Sequence, residues 1–312
     1  MPEQTIALEP SEKYVFQPQD RKIRLGLGSF LSTLLSVIVV GAAIYHARDL
    51  DFTMILRMVP ASPLFWVLFA INYLIVPISD WFIFRRVWGV GANAFAALVR
   101  KLICNELLVG YLGEVYFYSW ARQNLKFVNA PFGAVKDVAV LSAIAGNLST
   151  LVFLAIAFPF ARLLPLDGHA NAIGWSLAFV MGTSLAVMFM RRSIFSLERH
   201  ELKMVFAVHV VRILALTVTS AALWHVVMPD VELGWWLLLV TIRLLISRLP
   251  FVPNKDVVFA GIAVVMLGSE VKLAALMAMM AGLMLATHVL VGISFAGADL
   301  LSKGRLNDSP AL

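Results

Sequence analysis

The stretch LGWWLLLVTIRLLISRLPFVPNKDVVFAGIAVVMLG, Leu233–Gly268, is apolar on both sides of a polar, proline-broken centre, Arg248-Leu-Pro-Phe-Val-Pro-Asn-Lys-Asp256. A continuous helix is broken at such a centre, because proline lacks the backbone N–H and disfavours helix in the residue before it. Two full crossings do not fit either. The second half, Val257–Gly268, has 12 residues before Glu270, whereas a membrane span takes about 20 residues to cross roughly 30 Å. Two half-helices meeting at a polar tip satisfy both constraints. Backbone of that kind is tolerated at membrane depth only where it faces protein or a water-filled cavity.

The rest of the chain agrees with a membrane setting. Of 312 residues, 61% are apolar and 14% charged, against about 45–50% and about 25% in soluble domains. With a mean hydropathy of +0.86, too few polar side chains remain to cover a water-facing surface. A soluble enzyme, a nucleic-acid-binding domain and a disordered chain are all excluded. The net charge of +6 and the pI near 9.6 read as anchoring at an anionic cytoplasmic leaflet. A single cysteine, Cys104, rules out an internal disulfide framework and a multi-cysteine metal site.

After a polar tail, residues 1–24, the run Leu25–Tyr45 has 21 uncharged residues. It is too long an apolar core for a cleaved signal peptide and lacks a small-residue cleavage site after it. Further spans are expected at Pro63–Phe84, Val138–Ala161, Ala172–Met190, Met204–Met228 and Leu273–Ala298, with a cytoplasmic tail over 299–312. With the N-terminus inside, fifteen Lys and Arg fall on the cytoplasmic side and four on the other, Arg48, Arg57, Arg162 and Lys272. That asymmetry orients the chain with both termini in the cytoplasm of a cell bounded by an inner membrane.

Asn93–Asn124 lies between two inside connectors, so it must enter and return on one side, and its 32 residues fall short of the roughly 40 that two crossings need. The expected fold is therefore an all-α polytopic membrane protein. It has about six full spans and two re-entrant hairpins, in a first repeat over 25–161 (hairpin 93–124) and an inverted second repeat over 172–298 (hairpin 233–268). Secondary transporters built this way hold substrate where broken helices meet. Arg100-Lys-Leu-Ile-Cys104 matches Arg243-Leu-Leu-Ile-Ser247. With a one-residue gap, Glu114-Val-Tyr-Phe117 then matches Asp256-Val-Val-Phe259.

Gly110-Tyr-Leu-Gly-Glu-Val-Tyr-Phe-Tyr-Ser-Trp-Ala-Arg122 resembles the first signature of the lysylphosphatidylglycerol synthase transmembrane-region family, a Gly-x-x-Gly-Glu-like turn followed by a helix carrying an Arg. Ser247–Gly261 sits where that family carries a Pro-Gly-Gly-x-Gly-x-x-Glu-like turn. Here Asn254 and Lys255 replace the glycine pair, and Asp256 stands in place of the glutamate. The resemblance implies an integral lipid flippase or a protein of lipid and polyprenol-linked glycan handling. The soluble aminoacylating domain of bifunctional members has no counterpart in this sequence, so no synthase activity carries over.

Six basic residues fall at membrane depth, Arg100, Lys101, Arg212, Arg243, Arg248 and Lys255, facing Glu106, Glu114 and Asp256, with Asp80 as a further candidate. An excess of cations suits an anionic phosphate or phospholipid headgroup, and Arg offers a fork for two phosphate oxygens. Snorkelling of the long stems to the interface is the competing reading. In a helix Tyr111, Glu114, Tyr118 and Arg122 form one polar stripe. Glu114 is expected to pair with a cavity arginine or take up a coupling proton, or else to form a static bridge to Arg122 or Arg100.

His209 and Arg212 share a helix face, as do Asn72 and Asp80. His225 and His288 read as hydrogen-bonded core residues, and Asn147 as an interhelical one. Ala274, Ala278, Gly282 and Ala286 read as a close-packing stripe, and Trp235 and Trp236 as part of the outer aromatic belt. Enzyme signatures are missing. Gly89-Val-Gly91 follows no strand, His200-Glu201 has no second histidine, and neither a Gly-x-Ser-x-Gly turn nor a Walker loop occurs. No cofactor or metal is expected. The expected partner is a membrane lipid with an anionic headgroup, alongside a homo-oligomer or a lipid synthase. The leading function is lipid transport between leaflets. A non-catalytic lipid-binding subunit and a headgroup-modifying enzyme remain as alternatives.

Overall fold

Pro63, just after Ser62, opens α1, Pro63–Trp88, at the helix position where a missing N–H costs nothing. Gly89 ends it in the left-handed conformation (φ 66°), its N–H donating to Arg85 O at 3.0 Å, a turn that glycine adopts without strain. The computed structural model describes residues 59–108, 112–125, 132–163, 182, 195–248, 255–267 and 271–307. In these, α1 is followed by α2 (Asn93–Leu107), α3 (Leu112–Asn124), α4 (Phe132–Ala157, continued by a 3-10 turn Phe158–Leu163), α5 (Arg199–Val227), α6 (Leu233–Ile246), α7 (Lys255–Leu267) and α8 (Val271–Asn307). No strand occurs among the described residues.

Among the described residues four helices are long and apolar enough to cross a membrane: Pro63–Trp88, Phe132–Phe160, Arg199–Val227 and Ala275–Asp299. Their outward faces carry large apolar side chains left uncovered by protein, among them Leu64, Val67, Val211, Val218 and Leu290. Water does not tolerate such continuous apolar surface, and lipid does. The chain is an α-helical membrane protein.

These helices contain the expected spans Pro63–Phe84, Val138–Ala161 (but for Ala161), Met204–Met228 (but for Met228) and, within the full α8, Leu273–Ala298, and mostly overrun them. The reasons are local. α5 starts at Arg199 because Glu198 and Glu201 form a reciprocal capping box. α4 starts at Phe132, so Lys136 and Asp137, which precede the expected span Val138–Ala161, are already helical. Asp137 is fully buried there, its Oδ2 accepting from the N–H groups of Ser196 (2.5 Å) and Leu197 (2.8 Å). α8 runs on to Asn307, through residues read as tail. The expected spans Leu25–Tyr45 and Ala172–Met190 (but for Gly182), and the tail 1–24, lie outside the described residues.

The two segments too short for paired crossings each fold as two short helices, α2 with α3 and α6 with α7. At 13–15 residues, each extends roughly 20 Å. α1 and α5 pack antiparallel, Phe65 lying in one apolar cluster with Trp224, and Phe84 in another with Val205. Each cluster is aromatic and takes one phenylalanine from a short pair. Phe117 of α3 packs with Phe84 and Trp88, and Phe259 of α7 stacks on Trp224.

Two packing expectations are corrected. Trp236 is 2% exposed and sits against Trp224, ring centroids 6.0 Å apart, so it belongs to the core and not to an interfacial belt. α6 is short and enclosed by neighbours, which turns this face inward. The small-residue stripe of α8 is a seam only in part: Gly282 is buried and Ala286 half-buried, but Ala278 is exposed, while Met277, Met280 and Met284 are buried. Unbranched methionines fill the irregular gap against α7 and α1.

Candidate functional site

Between the two aromatic clusters lies a cavity of about 360 Å³. Its lining on the long helices comes from their middle turns, such as Asn72 and Asp80 of α1, Asn147 of α4, Arg212 of α5 and His288 of α8. Its lining on the short helices comes from the ends next to the breaks: Lys101 and Glu106 of α2, Glu114 of α3, Arg243 of α6 with Arg248 just beyond, and Lys255 and Asp256 of α7. Both helix breaks therefore converge on the middle of the long helices.

One group of charges is closed on itself. Asp80 is 2% exposed and accepts from Lys101 Nζ at 2.6 Å and Arg212 Nη1 at 3.1 Å. Lys101 also reaches Glu114 Oε1 at 3.3 Å. Arg212 Nη2 donates to Ser142 Oγ (2.8 Å), and Asn105 Nδ2 donates to Glu114 Oε1 (3.3 Å). Two cations meet two carboxylates. Buried charges persist only when paired and hydrogen-bonded in this way. Gly113 fits this packing because a methyl there would overlap the Lys101 carbonyl and the Asn105 amide, while its own N–H donates to Asn105 Oδ1 at 2.8 Å.

The second group is centred on α6 and α7. Arg243 Nε donates to Asp256 Oδ1 at 2.8 Å and its Nη1 to Ser220 Oγ at 3.3 Å. Asn72 Nδ2 reaches Ser220 Oγ (3.1 Å) and Thr219 Oγ1 (2.7 Å) from α1. Lys255 Nζ donates to the Ser247 carbonyl (2.8 Å), and Arg248 Nη2 to the Ser247 hydroxyl (2.7 Å). Glu106 has Asp256, Lys255 and Arg243 as its charged neighbours.

The two groups share a spacing. Lys101 pairs with Glu114 and Arg243 with Asp256, each carboxylate lying 13 residues beyond its cation. Asn105–Gly113 and Ser247–Lys255 are hydrogen-bonded pairs 8 residues apart. By that spacing Arg243 aligns with Lys101, and not with Arg100, without a gap. Arg100 points the other way, to Asp299 at 2.7 Å and over the Phe295 ring at 4.8 Å.

Of the candidate residues, Lys101, Glu106, Glu114, Arg212, Arg243, Arg248, Lys255 and Asp256 line the cavity, and Arg100, Tyr118 and Arg122 do not. Arg122 lies over Tyr118 on an exposed face, Nη1 to Oη 3.4 Å. The polar stripe thus divides, Glu114 turning inward to Lys101 and not to Arg122 or Arg100. Tyr111 and Asn254 lie outside the described residues. His209 lines the cavity beside Arg212, its Nε2 3.1 Å from Val138 O, and His288 Nδ1 is 3.3 Å from Tyr73 Oη. His225 is exposed. Sequence reading underweighted Asp80, the carboxylate shared by two cations, and passed over Asn105 and Ser247. The signal for Asp80 was a carboxylate inside an otherwise uncharged span. Asn105 and Ser247 carry no comparable mark.

Among the described residues no His, Cys, Asp and Glu cluster has the arrangement of a metal site. The cavity instead offers fixed cations, hydroxyls and amides, which can hold a polar headgroup while apolar tails remain outside. No protein-family model, no curated protein and no solved structure matches this chain.

Proposed function

We propose that this chain is a lipid transporter of the cytoplasmic membrane, moving a lipid with an anionic headgroup (a phospholipid or a polyprenol-linked lipid) between leaflets. The observation that carries the reading is the convergence of both helix breaks, with five basic and four acidic side chains, on one cavity halfway along the spanning helices. A headgroup crosses a bilayer only along a hydrated, charge-complementary path. A cavity of this volume fits a headgroup and not a whole lipid.

In this reading α2–α3 and α6–α7 are re-entrant hairpins, entering from the cytoplasmic and the opposite side. They belong to two inverted repeats of three spans each, with both termini cytoplasmic. The matched spacings of 13 and 8 residues and the pairing of Phe117 with Phe259 support that symmetry. The resemblance of Gly110–Arg122 to the lysylphosphatidylglycerol synthase transmembrane region points to the same activity.

The test is reconstitution into liposomes with a fluorescent phospholipid and a leaflet-selective quencher. Wild type is expected to accelerate exchange between leaflets, and Glu114→Gln and Arg243→Ala to lose at least about tenfold of that rate while remaining folded. Exchange no faster than in protein-free vesicles would overturn the reading. Bound lipid without exchange would leave an accessory lipid-binding subunit, and chemical change of the lipid a headgroup-modifying enzyme.

A further inference from the structure

The carboxylates that line the cavity are not held alike. Asp80, Glu114 and Asp256 each have a cation within 3.3 Å. Glu106 lines the same cavity, but its carboxylate makes no hydrogen bond and no ion pair within 4.0 Å. Helix position sharpens the contrast. Glu114 and Asp256 stand in the first turns of α3 and α7, where the helix dipole favours an anion. Glu106 is next to last in α2, whose last turn holds no basic residue, and there the dipole disfavours one.

The charged and titratable groups facing Glu106 come from several elements. They are Arg243 of α6, Lys255 and Asp256 of α7, and Tyr73 of α1, whose hydroxyl lies 3.3 Å from His288 Nδ1 of α8. Arg243 is bound to Asp256 at 2.8 Å. Lys255 donates to the Ser247 carbonyl and has no carboxylate within 4.0 Å among the described residues. Other charges packed on α2 are engaged with its own cations: Asp80 and Glu114 with Lys101, and Asp299 with Arg100.

We propose that Glu106 is the proton-carrying carboxylate of the cavity, protonated as an anionic headgroup enters and deprotonated after it leaves, so that lipid and proton cross together. This rests on the transport reading and adds its coupling, which falls to Glu106 and not to Glu114. On uptake one proton from water forms an O–H bond on the carboxylate, and on release the same bond breaks and the proton returns to water. The coupling is electrostatic. Ionised Glu106 and a headgroup phosphate compete for the Lys255 ammonium, and two anions side by side at membrane depth are costly. Protonation removes one of them, so proton and lipid each raise the affinity for the other. A metal ion is a poorer occupant. Calcium and magnesium take about six or more oxygen ligands, and Lys255 and Arg243 repel any cation brought to Glu106.

The test is infrared difference spectroscopy of the full chain in lipid, between about pH 9 and about pH 6, where carboxylates of ordinary affinity stay ionised. The carbonyl stretch of a protonated carboxyl is expected to grow on acidification in wild type, to be lost in Glu106→Gln, and to persist in Arg122→Ala. Absence of that band in wild type overturns the proposal, with no variant needed. So does its survival in folded Glu106→Gln. Liposomes holding fluorescent phosphatidylglycerol separate this from the transport reading. An imposed proton gradient is expected to enrich the lipid in one leaflet at least about threefold in wild type, and not in Glu106→Gln. The band without any leaflet exchange removes transport and keeps the proton site. Exchange that ignores the proton gradient, or that answers to a sodium gradient instead, keeps transport and overturns the proton coupling.

Discussion

At the scale of single residues, Asp80 carries the heaviest structural role. Two cations from α2 and α5 converge on it at 2.6 and 3.1 Å, and its side chain is 3% exposed. Removing one member of a buried ionic group leaves the others uncompensated, at a cost of about 3–5 kcal/mol. Asp80→Asn is therefore expected to lower the unfolding free energy in detergent by about that amount, while Arg122→Ala on the exposed face changes it by less than about 0.5 kcal/mol. A loss below 1 kcal/mol for Asp80→Asn would show that Glu114 alone satisfies both cations. The same logic explains why sequence reading ranked Glu114 above Asp80. Glu114 stands in a polar motif, whereas Asp80 gains its importance from Arg212, 132 residues away.

At the scale of elements, one carboxylate of α4 holds the two residues just ahead of the α5 cap. Asp137 accepts two backbone N–H bonds from Ser196 and Leu197, just ahead of the capping box that starts α5. Charge-assisted bonds of this kind are about twice as strong as neutral ones. Asp137→Ala is expected to speed amide hydrogen exchange at Ser196 and Leu197 at least about tenfold, and to leave α1 protected, because local opening follows local contacts. Unchanged exchange at those two amides would mean that the capping box alone holds the start of α5. The break between α6 and α7 was legible beforehand from Pro250 and Pro253, and that between α2 and α3 from a segment too short for two crossings. The end of α8 was not. Leaving the apolar zone does not stop a helix, and Ser302, Lys303 and Arg305 are compatible with helix.

At the scale of the whole molecule, the membrane topology is open to direct measurement. The one native cysteine, Cys104, is 2% exposed, which keeps background labelling low. Cysteines introduced at the exposed positions Arg122, Glu198 and Asp230 report the sides. In sealed, right-side-out vesicles, an impermeant maleimide added outside is expected to label Asp230→Cys at least about tenfold faster than Arg122→Cys or Glu198→Cys. Equal labelling of all three from one side would rule out the antiparallel span order on which the proposed repeats depend.

The amino-acid sequence by itself determined that this chain lies in a membrane, where its long apolar helices run, and where two segments break. These are local properties, because hydropathy, proline and charge act on the residues that carry them. Only the tertiary structure decided the pairing. It sent Lys101 to Asp80 and Glu114 and Arg100 to Asp299, turned Glu114 inward and Arg122 outward, buried Trp236, and put Asp80 between two cations. A helix face has no preferred partner until its neighbours pack. The register between α1, α2 and α5 chooses which charges meet, and a one-residue turn of a short helix exchanges a cavity cation for a peripheral one.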